Sequence, residues 1–443
     1  MSYQSINPAT GECEWQQPYL DEQSLEERLQ ALPAANRQWS ALSVSQRGAY
    51  LMALAQQLRL QQSSLAGIMT AEMGKKTSEA EAEIEKSAQV CEYYAKQALD
   101  MLAPESLPAS PSDAYLHFEP IGTVLAIMPW NFPIWQVMRC AAPTLMAGNT
   151  LALKHAENVP RCADMLQTLF VEAGFPEAVF SNLFIDNETC AQVIADDRIA
   201  AVTLTGSERA GRSVAASAGK ALKKSVLELG GSDAFVVLDG ADVEQAATTA
   251  VKSRFMNAGQ VCIAAKRFIL HPKVADAFIA AFVQHAKSLQ LAPMARRDLR
   301  DQLQQQVDDS VAAGATRLLG GYAGSGYADY PATVLDQVPT GCPAYEQELF
   351  GPVAAMIRAQ DDQDAVRIAN ATRFGLGASV WGPEQEARAM AHHIVAGCVV
   401  VNGMVRSDQR LPFGGTKQSG YGRELAQYGM REFTNMKTLI IDR

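Results

Sequence analysis

The chain has 443 residues, enough for about three domains and a sizeable core. Hydrophobic residues make up 48% and charged residues 19%, a balance that excludes a disordered chain. With 38 Lys and Arg against 48 Asp and Glu the net charge is −10, which argues against a nucleic-acid-binding surface and requires that an anionic ligand be met by locally placed arginines.

The most apolar stretches, around Ile121–Met128 and Cys140–Leu153, are broken by Pro, Asn or Gly and fall short of the ~20 residues of a membrane span. Residues Met1 to Thr10 have neither the basic start nor the apolar core of a secretory signal. The eight cysteines contain no CxxC pair and read as reduced thiols, so a cytoplasmic protein is expected. The six histidines show no metal-ligand spacing, and no metal is expected; His392 and His393 are adjacent in a predicted helix and do not share a face.

In chain order, residues 21–100 read as helical, with Leu25, Leu29, Leu32 and then Leu51, Leu54, Leu58 at helical spacing. Within them Glu79-Ala-Glu-Ala-Glu-Ile-Glu-Lys-Ser reads as a solvated, charged face. The Pro-rich residues 102–113 form a helix stop and connector, and Ala114–Glu119 alternates like a strand. Short apolar runs then alternate with helical segments. Ile121–Ile127, Thr150–Leu153, Val179–Phe184 and Ala200–Leu204 read as strands, and about 134–147, 158–173, 188–195 and from 208 as helices. A second alternating series runs from Ala234–Val237 to about 401, with helices near 242–257, 273–288, 298–313 and 384–396. This alternation predicts an α/β fold of doubly wound parallel sheets, with ligands at the carboxyl ends of the strands. The Gly-rich tract 320–331 reads as a surface loop that no strand feeds, and Asn435–Ile441 as a final strand.

Four segments carry candidate chemistry. Cys262 follows a Gly259-Gln260 turn and is either a small buried hydrophobe or a nucleophile. Glu228 ends an apolar strand before two glycines, so partial desolvation should raise its pKa towards that of a general base, unless it caps a helix. Asn131, in the stiff Pro129-Trp-Asn-Phe-Pro133 turn, offers an amide donor suited to a developing oxyanion. Gly206 and Ser207 close a strand just before a helix, as a phosphate seat does.

Together these segments resemble the aldehyde dehydrogenase superfamily, over nearly the whole length from Ile6 onwards. The matching motifs are PWNFP (129–133), TGS (205–207), LELGG (227–231), GQVC (259–262), ELFGP (348–352) and PFGG-x-K-x-SG-x-GRE (412–424). Within the superfamily the chain is most similar to the succinate-semialdehyde dehydrogenases. The resemblance implies a dinucleotide-binding domain of residues 1–101 and 121–229 and a catalytic α/β domain of 230–413. It also implies a small protruding β element of 102–120 and 434–443 that pairs subunits into a dimer or tetramer, and a return segment of 414–433.

The implied reaction is NAD(P)-dependent oxidation of succinate semialdehyde to succinate. Cys262 attacks as thiolate, a form the site is expected to favour through backbone N–H groups and the nicotinamide cation. The Asn131 amide and the Cys262 backbone N–H hold the alkoxide, and Glu228 activates the water that hydrolyses the thioester. On the cofactor side, the resemblance assigns Pro129, Trp130, Asn131, Gly206, Ser207 and Leu229. It places Lys154 on the adenosine ribose, Glu348 on the nicotinamide ribose and Phe350 nearby. Glu157 falls where NAD-preferring members place a carboxylate on the ribose hydroxyls, which favours NAD with NADP as the second choice. The other reading of Glu157 is an exposed residue at a helix N-terminus.

For the substrate, Arg139 falls where relatives face the substrate carboxylate; its alternative is a structural ion pair. A second arginine of some relatives is Met256 here, which Arg406 and Arg410 are candidates to replace, with Asp408 placed to neutralise one of them. The chain departs from relatives in a short Leu289–Met294 connection, expected at the surface, in Asn182–Asp186, which lacks the glycine that many relatives have at the end of this strand, and in Ala264, which excludes a redox switch with a second cysteine there. Alternative functions are the same chemistry on another small aldehyde such as glutarate semialdehyde, and a catalytically silent nucleotide-binding relative.

Overall fold

Strand segments in the middle of the chain are mostly apolar, and Thr150–His155 and Asp233–Val237 are buried along their whole length. Strands buried on both faces need helices on both sides of a parallel sheet. The computed structural model, which describes residues 2–108 and 113–442, contains two such sheets. The first has six strands in the order Gly420–Tyr421, Lys224–Glu228, Ile199–Thr205, Thr123–Met128, Thr150–His155, Phe180–Asn182, parallel except at Gly420–Tyr421. Its winding reverses between Thr123–Met128 and Ile199–Thr205. At that switch point the Pro129-Trp130-Asn131 turn and Gly206-Ser207 leave the carboxyl ends, where a crevice forms.

The second sheet has seven strands in the order Thr316–Leu319, Thr333–Asp336, Val353–Arg358, Ala265–Leu270, Asp233–Val237, Gly377–Trp381, Cys398–Val401. Thr316–Leu319 pairs antiparallel with Thr333–Asp336, so a strand does feed the Gly-rich tract; the tract is the long loop of that hairpin. His392 and His393 lie just beyond the helix Glu384–Ala391 instead of inside it.

The helix Thr77–Met101 packs on Trp135–Met146, which follows the Asn131 turn. The helix Ala426–Glu432 returns to the same pair. Glu105–Leu107, Asp113–Pro120 and Thr434–Ile441 form a separate antiparallel sheet. Met1, residues 109–112 and Arg443, which belong to the expected dinucleotide domain and β element, lie outside the described residues.

Candidate active site

Cys262 sits between a 3-10 turn, Met256–Gly259, and the central strand Ala265–Leu270. Asn257 and Ala258 have φ of 52° and Gly259 of 74°, and a Cβ at 259 would collide with the Gly351 carbonyl and Arg254. Two buried cations hold this turn by its carbonyls. Arg254 Nη2 donates to Gly259 O (2.5 Å) and Gly351 O (2.7 Å), and Lys266 Nζ donates to Cys262 O (2.7 Å) and Val261 O (3.0 Å).

Asn131 is brought to the same turn. Its Nδ2 donates to Gln260 O at 3.0 Å, and Asn257 Nδ2 donates to Asn131 O at 3.0 Å. One amide hydrogen of Asn131 is thereby used, which leaves the second for an oxyanion. A buried ion pair, Lys75–Glu83, fixes the turn from behind. Glu83 Oε1 accepts the N–H groups of Ile134 and Trp135, each at 2.9 Å, and Lys75 Nζ donates to Asn131 O at 2.8 Å. The charged run 79–87 is therefore not simply a solvated face. Glu83 is buried, Glu79 Oε1 accepts from Asn257 N at 2.9 Å, and Lys86 enters the substrate cavity.

Glu228 is 2% exposed, and neither of its oxygens has a hydrogen-bond partner among the described residues, so it caps no helix. Burial holds its carboxyl well above the usual range and Glu424 adds to this, while Arg139 and Arg423 oppose both. Glu424 is itself buried and raised, restrained by the Arg139 guanidinium with which it forms an ion pair. Arg139 also lies 4.6 Å over the Phe413 ring and donates from Nη2 to Thr205 Oγ1 at 3.3 Å. The structural ion pair weighed as the alternative for Arg139 is thus present. Burial pushes the Cys262 thiol up to about 11, against the pull of Arg139 and Lys266. Burial outweighs both cations in the protein alone, which leaves the favouring of a thiolate to the backbone N–H groups and a bound nicotinamide cation.

A cavity of about 740 Å³ opens onto Cys262, walled by Phe132, Trp135, Phe255, Met256 and Ile263 among others. Lys86, Arg139 and Arg406 reach it. Arg410 is not part of its wall: it is exposed and bound to Asp408 through Nε (2.9 Å) and Nη2 (2.6 Å). Leu289 and Leu291 line the cavity, so the short 289–294 segment is part of the site and not only a surface connection. Lys86 was missed because its neighbours in sequence make an ordinary polar helix; the signal is the i, i+4, i+7 spacing of Glu79, Glu83 and Lys86.

The crevice at the first sheet has the features of a dinucleotide seat. Lys154 is 5% exposed, and its carboxylate neighbour Glu157 stands off at 3.5 Å, which leaves ammonium donors to spare. Glu157 is in the turn before the helix Pro160–Glu172, outside its first helical turn. Asn182 is buried at a strand's carboxyl end with both amide atoms unpartnered. Gly206 presents no side chain, and Ser207 Oγ caps Glu208–Lys220 by accepting from Ala210 N at 3.3 Å. Leu229 is buried near Gly211, where a Cβ would strike it. Across from them Trp130 and Phe350 meet edge to face at 5.8 Å, and Glu348 Oε1 accepts from Gly231 N (3.1 Å) with Lys266 Nζ at 3.3 Å. Spare donors, unpartnered amide atoms and a glycine at the switch point fit a nicotinamide dinucleotide.

Residues 1–439 match the aldehyde dehydrogenase family. The chain belongs to this family. The dehydrogenase is 46% identical to the Escherichia coli (strain K12) succinate semialdehyde dehydrogenase Sad, named as NAD(P)+-linked, over 99% of this chain and 98% of the relative. It is 43% identical to a probable succinate-semialdehyde dehydrogenase of Synechocystis sp. (strain ATCC 27184 / PCC 6803 / Kazusa), named as NADP+-linked, over all of both chains. Among solved structures, the Streptococcus pyogenes succinic semialdehyde dehydrogenase in complex with NADP+ superposes with a TM-score of 0.97 at 36% identity, over all of both chains. No helix among the described residues of the enzyme is long and apolar enough to cross a membrane.

Proposed function

We propose that this aldehyde dehydrogenase oxidises succinate semialdehyde to succinate, taking NAD in preference to NADP. The balance is one aldehyde, one NAD(P)+ and one water giving the acid, NAD(P)H and a proton. The reading rests on one observation above all: Cys262 opens into an apolar cavity with cations set in its wall. The names of the full-length relatives agree with the substrate, but they carry NAD(P)+ and NADP+, so the preference for NAD rests on Glu157 alone.

Each protein group then has a task. Cys262 Sγ attacks the aldehyde carbon, its proton passing to solvent water, and the Asn131 amide with the Cys262 backbone N–H donates to the alkoxide. When bound, the nicotinamide accepts the hydride that the thiohemiacetal carbon releases. Glu228, basic because it is buried but kept titratable by Arg139 and Arg423, takes a proton from the water that attacks the thioester. Cys262 leaves as thiolate. Lys154, Glu157, Ser207 and Glu348 would hold the cofactor, and a 2′-phosphate beside Glu157 would meet a like charge.

The size of the cavity also favours a second substrate, the C5 homologue glutarate semialdehyde, since one methylene is worth only ~1–3 kcal/mol of discrimination. A panel of C4 and C5 semialdehydes and butanal with both cofactors tests the reading. The largest kcat/KM is expected for succinate semialdehyde with NAD, and faster turnover of butanal would overturn the assignment.

Association into a dimer or tetramer belongs to the same proposal. The outer β sheet exposes Met436 and Ile440 on one face and Leu439 and Ile441 on the other of its edge strand Thr434–Ile441, apolar side chains and an open edge suited to a second copy. A monomeric mass in solution at working concentration would remove it. A cytoplasmic location completes the proposal, with fractionation as its check.

A further inference from the structure

The cations of the substrate cavity are not equivalent. Arg139 is neutralised by Glu424, and Lys75 by Glu83. Arg406 and Lys252 are exposed and already solvated. Lys86 is different: it is half-buried, and no carboxylate among the described residues comes within ion-pair distance of its ammonium. Its Nζ donates to Ser407 Oγ at 2.7 Å and lies 3.9 Å over the Trp135 ring. A hydroxyl and a π face compensate an ammonium only weakly, and three N–H donors are not exhausted by one oxygen. A partly desolvated cation without a counter-ion, in an apolar cavity that also contains the nucleophile, is a vacant half of an ion pair.

We infer that Lys86, with the Ser407 hydroxyl beside it, receives the carboxylate of an ω-carboxy aldehyde and sets this site's preference for anionic over neutral substrates. The inference deepens the proposed function and rests on it. Trp135 forms a flat apolar wall beside the ammonium along which a short methylene chain can lie. Lys86 and Cys262 line the same cavity, so one small molecule can reach both. Burial draws the ammonium down to about 8, helped by Arg139, while Glu83, Asp408 and Cys262 pull the other way. A bound carboxylate would hold it protonated. The inference also explains how the site manages with Met256 where some relatives have a second arginine: the cation comes from another helix.

The test compares kcat/KM for succinate semialdehyde and butanal in the wild-type enzyme, Lys86→Met and Lys86→Arg, with succinate binding measured by calorimetry. Lys86→Met is expected to lose at least about tenfold on succinate semialdehyde, mainly through KM, to keep butanal within about twofold, and to bind succinate correspondingly less well. Lys86→Arg should recover part of the loss. Butanal turnover reports that the variant is folded. Equal losses on both aldehydes, or unchanged succinate binding, would overturn the role of Lys86. A wild-type enzyme with no preference for succinate semialdehyde over butanal would instead remove the proposed function itself, whatever Lys86 does.

Discussion

Replacing Arg139 by alanine separates two roles for a cation that touches both the substrate cavity and the general base. Its side chain is 2% exposed and that of its partner Glu424 is 6%, so the substitution leaves a buried carboxylate without its counter-charge. Breaking such a pair costs ~3–5 kcal/mol, partly relieved when Glu424 takes up a proton. The catalytic effect follows from Glu228. Arg139 lowers its proton affinity, so removing Arg139 raises it, and the basic form then appears only at higher pH. A higher proton affinity leaves less of the active base at neutral pH. Both succinate semialdehyde and butanal need that base to clear the thioester after hydride transfer, so kcat should fall by at least about tenfold for each, in equal proportion. The acid limb of the pH profile should move to the alkaline side. Lysine at 139 should restore part of the rate, since it keeps charge but not the planar fork. The assay is steady-state NADH formation with both aldehydes across a pH series, beside urea unfolding. A loss confined to succinate semialdehyde with an unmoved pH profile would refute the reasoning and place Arg139 on the substrate carboxylate.

Two further predictions are independent of the substrate. Glu157→Gln removes the carboxylate beside Lys154, so NADP should gain affinity relative to NAD, read as the ratio of dissociation constants by fluorescence titration; an unchanged ratio contradicts the cofactor assignment. His155 is buried beneath the Pro133 carbonyl, and burial depresses it from 6.5 to about 4. Between those values the unfolded chain binds a proton that the native one does not, so stability falls as pH drops through this window, by ~2 kcal/mol at pH 5. His155→Gln should flatten that part of the stability–pH curve, and an equally steep curve would show that other groups carry it.

The parts of the fold with local causes were legible in the sequence. Buried apolar runs such as Thr150–Leu153 and turn signals such as Gly206-Ser207 announce a parallel sheet and its switch point, and Asn131 meets the turn that carries Cys262, while Glu228 is linked to the same cavity through Arg139. What was hidden depends on partners far apart in the chain. Nothing local to Arg139 reveals that Glu424 will neutralise it. A Glu-Ala-Glu-Ala-Glu run has the composition of a solvated helix, and only the placement of Lys75 and the Ile134 and Trp135 N–H groups around Glu83 turns one face of it inward. The state of the Cys262 thiol was hidden for the same reason, since burial by distant elements outweighs the nearby cations.

The central claim is that Cys262 carries the substrate as a thioester which Glu228 clears. Glu228→Gln, mixed with succinate semialdehyde and NAD and quenched in acid, tests it most directly by intact-mass and peptide analysis. One succinyl group on the peptide containing Cys262, formed with a single burst of NADH and little further turnover, is the predicted result. Normal steady-state turnover without an accumulating adduct, or an adduct on another residue, would contradict it.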